Sequence, residues 1–262
     1  MHNFRISGFG LPSSFVILVS GFFRRSDFPR LSASPFPTPL SQSAIMKPLL
    51  SLLAFLAFAA APALADDGWV SMFNGKDLTG WKSNAATEDK ADELKNVFTV
   101  EDGKLKISGG RAHLFYMGPD GNAKFKNFEL KAKVMTMPGA NSGIYFHTQF
   151  EEKGWPSKGF ECQVNATHTD RKKTGGLYAV VDVIDNAPNK DNVWCDYYVK
   201  VEGKHVTIKI DDKVTAEWTQ PDNWEPPKSM PGRILGEGTI ALQGHDPKST
   251  TYYKDIYIKP LP

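Results

Sequence analysis

Short segments in which apolar and polar residues alternate recur along most of this chain, and they constrain its fold more than any other feature. Successive side chains of a β-strand point to opposite faces, so each such segment predicts a strand with one buried face. Turns rich in Gly, Asn and Asp separate the segments, and no long amphipathic helix pattern interrupts them. The pattern predicts an all-β fold in which two antiparallel sheets form a sandwich or jelly roll. The predicted strands are Phe98–Ile107 (a hairpin), Phe125–Val134, Gly176–Val183, Trp194–Val201, His205–Ile210, Thr239–Gln243 and Tyr252–Lys259.

The N-terminal region has the features of an export signal that is preceded by extra residues. Met46-Lys47 is followed by an apolar run from Leu49 to Ala61 and then by Ala63-Leu64-Ala65. A short basic start, an apolar stretch of this length and an A-x-A ending are typical of a cleavable signal peptide. We therefore expect residues 1–45 to lie upstream of the native start, residues 46–65 to be removed, and residues 66–262 to form a single periplasmic or secreted domain. A cytosolic tail before a signal anchor is the alternative.

The charge of the exported part excludes one class of partner. Of the 31 Lys and Arg and the 29 Asp and Glu residues, the first 65 positions hold five and one, so the remainder has a net charge of −2. No cluster of Lys and Arg is interleaved with aromatic residues, which argues against nucleic acid as a partner. We expect no membrane anchor once the signal is removed. The pairing of the only two cysteines, Cys162 and Cys195, stays open.

One stretch combines strand alternation with chemically useful side chains. It reads Gly-Ala-Asn-Ser-Gly-Ile-Tyr-Phe-His from position 139 and Gly-Phe-Glu-Cys-Gln-Val from position 159. Strand parity places two sets on opposite faces. An apolar set should enter the core: Ile144, Phe146, Phe160, Cys162 and Val164. A polar set should share the other face: Tyr145, His147, Glu161 and Gln163. An ordinary solvent-facing sheet surface is the alternative interpretation.

Familiar catalytic motifs are absent from the sequence, which has no G-x-S-x-G, H-E-x-x-H, C-x-x-C or phosphate-binding loop. His113 and His168 are predicted to lie in loops, and three converging ligands would be needed for a metal site. No metal ligand is therefore assigned and no cofactor is required, although a divalent metal is left open. Glu161 has no second acid two or four residues away on its own face, so a two-carboxylate glycosidase is weakly supported.

Six short motifs in order resemble the 3-keto-disaccharide hydrolase domain family, over nearly all of residues 69–261. They are Phe73-Asn-Gly-Lys-Asp-Leu-Thr-Gly-Trp81, Gly139-Ala-Asn-Ser-Gly-Ile144, Gly159-Phe-Glu-Cys-Gln163, Gly175-Gly-Leu-Tyr178, Gly238-Thr-Ile-Ala-Leu-Gln243 and Asp255-Ile-Tyr-Ile-Lys-Pro-Leu261. The resemblance implies a concanavalin-like jelly roll with a sugar-binding cleft. It also implies an exported protein that acts on small glycosides whose ring is oxidised at carbon 3. Two departures, His147 in place of Arg and Cys195 in place of Asn, put the usual specificity in doubt.

The implied chemistry assigns roles to the residues of the polar face. A ketone at carbon 3 acidifies the hydrogen on carbon 2, so a base, an oxyanion partner and an acid suffice for elimination followed by hydration. Glu161 is the candidate base, with His147 as the second candidate. The candidate substrate contacts are Asn141, Tyr145, Gln163, Tyr178, Gln243 and His245. A binding module that holds glycan without cleaving it, or a structural envelope protein, remains the alternative function.

Overall fold

The computed structural model describes residues 67–86 and 94–262, which lie in one compact unit, and within them the chain forms fifteen strands. Residues 1–45 and the predicted signal peptide lie outside the described residues. The strands are β1 (Val70–Ser71), β2 (Trp81–Ala85), β3 (Phe98–Glu101), β4 (Lys104–Ser108), β5 (Ala112–Tyr116), β6 (Asn127–Thr136), β7 (Asn141–Thr148), β8 (Phe160–Asn165), β9 (Lys172–Leu177), β10 (Val181–Ile184), β11 (Cys195–Glu202), β12 (His205–Ile210), β13 (Lys213–Thr219), β14 (Thr239–Gly244) and β15 (Thr250–Leu261).

These strands form two antiparallel sheets, which confirms the predicted all-β sandwich. The eight-stranded sheet has the order β13-β12-β11-β6-β15-β4-β3, with β1 paired to β15. The seven-stranded sheet has the order β10-β9-β8-β7-β14-β5-β2. Each sheet combines consecutive strands, such as β11–β13 and β7–β10, with neighbours that are distant in sequence, such as β6 beside β15 and β7 beside β14. Distant neighbours are expected when a chain crosses between two layers. Within the described residues, no helix combines the length and apolar character needed to cross a membrane.

The core lies between the two sheets and is built by the predicted alternation. On β6, Phe128, Leu130, Ala132 and Val134 are buried, while the intervening residues lie on the outer face. The outer residues Glu129, Lys131 and Lys133 are only partly exposed. Each has a side-chain neighbour: the Lys131 ammonium lies 4.2 Å from the Trp69 ring, Tyr198 donates a hydrogen bond to Glu129, and Lys133 donates one to Asp196.

Strands β7 and β8 are buried on both faces, and this feature positions the candidate site. Ile144, Phe146, Phe160, Cys162 and Val164 belong to the core cluster, as predicted. The opposite face is also buried, because loops cover it and enclose a cleft. Paired residues of the two strands include Tyr145 with Glu161 and Gly143 with Gln163. The polar row of this pair of strands therefore points into the cleft.

A β-bulge ends this parity at His147. Thr148 pairs with Thr239 and Tyr145 pairs with Ala241, so two residues of β7 lie opposite one residue of β14. His147 adopts φ = 53°, in the left-handed region. A bulge of this kind turns the following side chains away from their alternating positions. The expectation that His147 shares a face with Glu161 is therefore wrong.

Several local predictions also need correction. The predicted strand Gly176–Val183 is two strands, β9 and β10, joined by a turn at Tyr178–Val180. His113 lies on β5 and not in a loop, whereas His168 does lie in a loop, as expected. Cys162 and Cys195 are buried free thiols. Burial raises the pKa of both thiols, that of Cys195 to about 12. Both cysteines therefore act as small apolar core residues.

Replacing Phe128 by Ala should lower the free energy of unfolding by about 3–5 kcal/mol. Phe128 is fully buried, and its ring lies 5.9 Å from that of Phe146 on the opposite sheet, so truncation leaves a cavity between the layers. Urea unfolding measures the loss. Val214→Ala is the control: Val214 is 55% exposed on β13, and its change should stay within about 0.5 kcal/mol. Equal effects of the two substitutions would contradict this assignment of the core.

Candidate active site

A cleft of about 530 Å³ lies on the seven-stranded sheet, on the face opposite the core. Strands β7, β8 and β14 supply its floor, with side chains from Asn141, Tyr145, Glu161, Gln163 and Gln243. Loops supply its walls, with Trp155–Ser157, Gly159, Asp170, Tyr178, Ser229–Pro231, Arg233 and His245. The volume falls within the range usual for small-molecule sites, about 300–1,000 Å³.

The Glu161 carboxylate is the centre of the polar network on the cleft floor. It is 5% exposed. The Tyr145 hydroxyl donates a hydrogen bond to its Oε2 at 2.9 Å, and the Gln243 amide donates to its Oε1 at 3.1 Å. Gln243 also donates to the Tyr145 hydroxyl at 3.0 Å. The three side chains come from three adjacent strands, so the sheet itself fixes the orientation of the carboxylate.

A glycine on the neighbouring strand makes room for this carboxylate. Gly143 lies on β7, and a Cβ atom placed on it would come 2.6 Å from Glu161 Oε1. Real side chains do not approach so closely, so any other residue here would displace the carboxylate. The glycine of the Asn-Ser-Gly-Ile motif is therefore required by the space that the Glu161 side chain occupies, and not by its backbone conformation.

Burial shifts the ionisation of Glu161 towards neutral pH. Desolvation disfavours the charged form and raises the pKa of Glu161 above its usual value near 4.5. The Arg233 guanidinium, whose Nη2 lies 3.6 Å from Oε2, and the hydrogen bond from Tyr145 oppose this rise but do not cancel it. A carboxylate of raised pKa inside a cleft is suited to proton transfer.

Four buried polar atoms in the cleft have no hydrogen-bond partner among the described residues. Three are amide oxygens, of Asn141, Gln163 and Gln243, and the fourth is Arg233 Nη1. Buried polar groups normally have partners, so unpaired polar atoms on residues that line a cavity favour a polar ligand or water there. Amide oxygens accept hydrogen bonds from hydroxyl groups, and the guanidinium donates to hydroxyl or carbonyl oxygens.

Aromatic side chains add apolar surface beside these polar groups. Trp155 lines the cleft and is 40% exposed, and its ring packs edge-on against His113 at 5.2 Å. Tyr178 lies on the same cleft, with the Arg233 guanidinium 5.6 Å from its ring centroid. A sugar ring has apolar C–H faces and polar hydroxyl edges, so this mixture of surfaces suits it.

Most of the residues predicted from the sequence meet in this cleft. Seven of the eight candidates line it: Asn141, Tyr145, Glu161, Gln163, Tyr178, Gln243 and His245. His147 does not line it. Its Nε2 lies 2.8 Å from the Lys126 carbonyl oxygen, and its Nδ1 accepts a hydrogen bond from the Gly236 N–H. Both ring nitrogens of His147 are therefore hydrogen-bonded to backbone groups, and the side chain connects two loops. No nitrogen lone pair is left to act on a substrate.

Nine lining residues were not predicted, and three of them bring a large aromatic or a charged side chain: Trp155, Asp170 and Arg233. All three lie in irregular segments, where no periodicity indicates the direction of a side chain. Asp170 Oδ1 accepts a hydrogen bond from the Lys172 N–H, an arrangement that stabilises the loop. Arg233 is 6% exposed and reaches Glu161 from the loop that follows β13.

The two departures from the family pattern lie outside the cleft. His147 is turned away by the bulge, and Cys195 is a 3% exposed member of the core cluster on β11. Neither replacement therefore removes a side chain from the cleft. The positions of His147 and Cys195 therefore give no reason to expect a specificity different from that of the family.

His113 is a buried neutral histidine behind the cleft wall. It is fully buried, and desolvation, with a smaller contribution from His245, lowers its pKa to about 3. Its ring packs against Tyr145 and Trp155, and neither ring nitrogen has a hydrogen-bond partner among the described residues. His113 therefore supports the two aromatic side chains as an uncharged ring.

His168, His245 and Asp246 are close enough together to be considered as metal ligands, with candidate atoms within 4.8 Å of one another. Their hydrogen bonds do not fit that role. His168 Nδ1 accepts the Asp170 N–H, so a neutral His168 carries its proton on Nε2, the atom that faces Asp246. That atom then has no lone pair for a metal, and Asp246 is already bound by His245 and Ser249.

The chain belongs to the family of 3-keto-alpha-glucoside-1,2-lyase-like domains. The family model matches residues 68–259, which include every strand that contributes to the cleft. A relative from Bacteroides thetaiotaomicron, named 3-keto-disaccharide hydrolase, is 33% identical over 236 aligned positions that cover 74% of this chain and 79% of the relative. The resemblance drawn from the six motifs is thereby confirmed.

Solved structures share the fold at low sequence identity. A Parabacteroides distasonis protein, provisionally described as a glycosyl hydrolase, superposes with a TM-score of 0.60 at 22% identity, covering 74% of this chain and 94% of that one. A Bacillus subtilis protein of unknown function with a galectin-like fold gives a TM-score of 0.50 at 10% identity, with 73% and 94% covered. These similarities concern the two-sheet architecture.

Replacing Arg233 by Met should raise the pKa of Glu161 further. The positive charge of Arg233 favours the ionised carboxylate, so its removal keeps Glu161 protonated to higher pH. Infrared titration of the carboxyl band, assigned by its loss in Glu161→Gln, measures the change. Arg171→Met is the matched control, because Arg171 is an exposed arginine paired with Asp185 outside the cleft. An unchanged or lowered Glu161 pKa in Arg233→Met would contradict the electrostatic description.

Proposed function

We propose that this protein is an exported carbohydrate-active enzyme that cleaves 3-keto-glycosides, such as 3-keto-disaccharides, by proton abstraction beside the ketone. The observation that carries the proposal is the buried Glu161 carboxylate of raised pKa, held at the centre of a sugar-sized cleft. The name of the Bacteroides thetaiotaomicron relative supports the substrate class. Export rests on the signal-like sequence at residues 46–65.

The geometry supports a role for each group around the reacting carbons. Glu161 removes the hydrogen on carbon 2, which the neighbouring ketone makes acidic. The Arg233 guanidinium has an unsatisfied Nη1 and carries the positive charge that stabilises the enolate oxygen. The enolate then expels the group on carbon 1, and addition of water to the resulting double bond completes a net hydrolysis. One base suffices for this route.

A raised pKa is useful for this chemistry because a base works best when its pKa lies near the operating pH. A carboxylate with an unshifted pKa is fully ionised at neutral pH but is a weak base. Desolvation in the cleft makes the Glu161 carboxylate more basic, and Arg233 keeps part of it ionised. The Tyr145 and Gln243 hydrogen bonds hold its oxygens in place while its charge changes.

Two other functions are compatible with a sugar-sized cleft. A conventional glycosidase uses two carboxylates, and Asp170 also lines the cleft, although it is tied to the Lys172 backbone. A binding module would use Trp155 and the amide groups without chemistry. The perturbed ionisation of Glu161 favours catalysis over binding alone, since a binding module has no need of a buried base.

Glu161→Gln should lose most turnover of a 3-keto-disaccharide while it still binds the sugar. The amide keeps the shape of the side chain but cannot accept the carbon 2 proton, and a general base contributes roughly 10²–10⁴-fold to rate. In heavy water the native enzyme should place deuterium on carbon 2 of the product, as measured by mass spectrometry. Glu202→Gln is the matched control, because Glu202 is an exposed carboxylate on the eight-stranded sheet.

Three outcomes would contradict the proposal. Equal cleavage of the unoxidised disaccharide would indicate a conventional glycosidase. Product without deuterium at carbon 2 would argue against elimination. Saturable binding of the 3-keto sugar without cleavage would indicate a binding module.

A further inference from the structure

We propose that His245 is the acid and base at the leaving group, and that Asp246 is the residue that positions it. The inference rests on the proposed function and completes it, because expulsion of a sugar needs a proton donor as well as the base Glu161. His245 was assigned only as a substrate contact from the sequence. Its hydrogen bonds and its place in the cleft support the more specific role.

Asp246 fixes the tautomer of His245. His245 Nδ1 lies 2.9 Å from Asp246 Oδ2. Burial raises the pKa of Asp246, but hydrogen bonds from Ser249, His245 and the Lys248 N–H outweigh it and leave that pKa below its usual value. Asp246 is therefore ionised and accepts hydrogen bonds. His245 Nδ1 carries a proton and donates a hydrogen bond to the Asp246 carboxylate. This leaves Nε2 as the nitrogen that exchanges protons, as in other carboxylate-oriented histidines.

Asp246 is itself held in place by the turn that it begins. Ser249 Oγ donates to Asp246 Oδ2 at 2.6 Å, and the Lys248 N–H donates to Oδ1 at 2.9 Å. Ser249 Oγ in turn accepts the N–H of Asn141, a residue on the cleft floor. The carboxylate is thus fixed relative to β7, and His245 is fixed through the carboxylate.

His245 and Glu161 line the same cleft. Gln243 donates a hydrogen bond to Glu161, and His245 follows Gln243 by two residues, just beyond the end of β14. Both Gln243 and His245 line the cleft. The His245 ring packs 6.1 Å from Trp155 and 5.4 Å from His168, so neighbours restrict its rotation. His245 Nε2 has no hydrogen-bond partner among the described residues.

The charged and titratable groups around His245 are Glu161, Asp246, His168 and His113. His113 is neutral, because burial keeps its pKa low. Burial, with smaller contributions from His245 and Lys173, also lowers the pKa of His168, although Asp246 and Asp170 oppose this. Asp246 is therefore the charged partner that decides the orientation of His245, and Glu161 is the other proton-transfer group of the cleft.

The complete cycle returns every group to its starting state. Glu161 takes the carbon 2 proton, the electron pair forms the enolate, and the bond between carbon 1 and the leaving oxygen breaks as that oxygen takes a proton from the His245 imidazolium. Water then adds: His245 takes one proton from it while its oxygen bonds to carbon 1, and Glu161, whose proton has exchanged with solvent, protonates carbon 2. No oxidant, reductant or further reactant is needed.

The test compares leaving groups that differ in their need for a proton. His245→Gln should lose roughly 10²-fold or more in kcat on a 3-keto-disaccharide, the range expected for a general acid. On the 3-keto p-nitrophenyl glucoside the loss should be much smaller, because p-nitrophenoxide leaves without protonation. Asp246→Asn should also lose more kcat on the disaccharide than on the p-nitrophenyl glucoside, but its losses should be smaller than those of His245→Gln. His205→Gln is the matched control, since His205 pairs with Glu217 at 3.1 Å on the eight-stranded sheet.

Deuterium exchange at carbon 2 separates the two proton-transfer roles. His245→Gln should still exchange this hydrogen of the disaccharide with heavy water, because Glu161 is intact, whereas Glu161→Gln should not. Equal losses on both substrates would overturn the proposal by assigning His245 a merely structural or binding role. Loss of native activity with a chelator and its recovery with a divalent metal would overturn it in favour of a metal site. If the native enzyme cleaves neither 3-keto substrate, the proposed function itself fails.

Discussion

The burial of strands β7 and β8 on both faces is the constraint on which the rest of the structure depends. One row of their side chains packs between the sheets, and the alternate row lies in the cleft. Because the two rows are part of the same strands, the core holds the cleft floor rigidly. Glu161 and Gln163 therefore have neighbours such as Cys162 that anchor them in the core. A site placed on strands in this way keeps its geometry better than one placed on loops.

The chemistry follows from how a carboxylate is accommodated in that buried row. Gly143 leaves the space, Tyr145 and Gln243 bind the two oxygens, and Arg233 supplies a partly compensating charge. The guanidinium is 3.6 Å away and does not form a close ion pair, so desolvation still dominates the ionisation of Glu161. A tighter pair would stabilise the charged form and weaken the base. The balance between burial and partial neutralisation suits proton abstraction from carbon.

The sequence allowed the fold and most of the cleft floor to be predicted, for one physical reason. Strand alternation depends only on local geometry, so it correctly separated Glu161 and Gln163 from their core neighbours. It failed at His147, where a bulge inserts an extra residue that no local pattern reveals. Arg233 and Trp155 could not be predicted, because they come from irregular loops whose course depends on tertiary packing. Six motifs in order supplied the family, which alternation alone could not.

The central claim is that carbon–hydrogen cleavage beside a ketone precedes loss of the leaving group. The most direct measurement compares kcat/KM for a 3-keto-disaccharide with that for the same sugar carrying deuterium at carbon 2. Breaking that bond with Glu161 as the base predicts slower turnover of the deuterated sugar and loss of the label to water. Equal values of kcat/KM, with the deuterium fully retained in the product, would contradict the account.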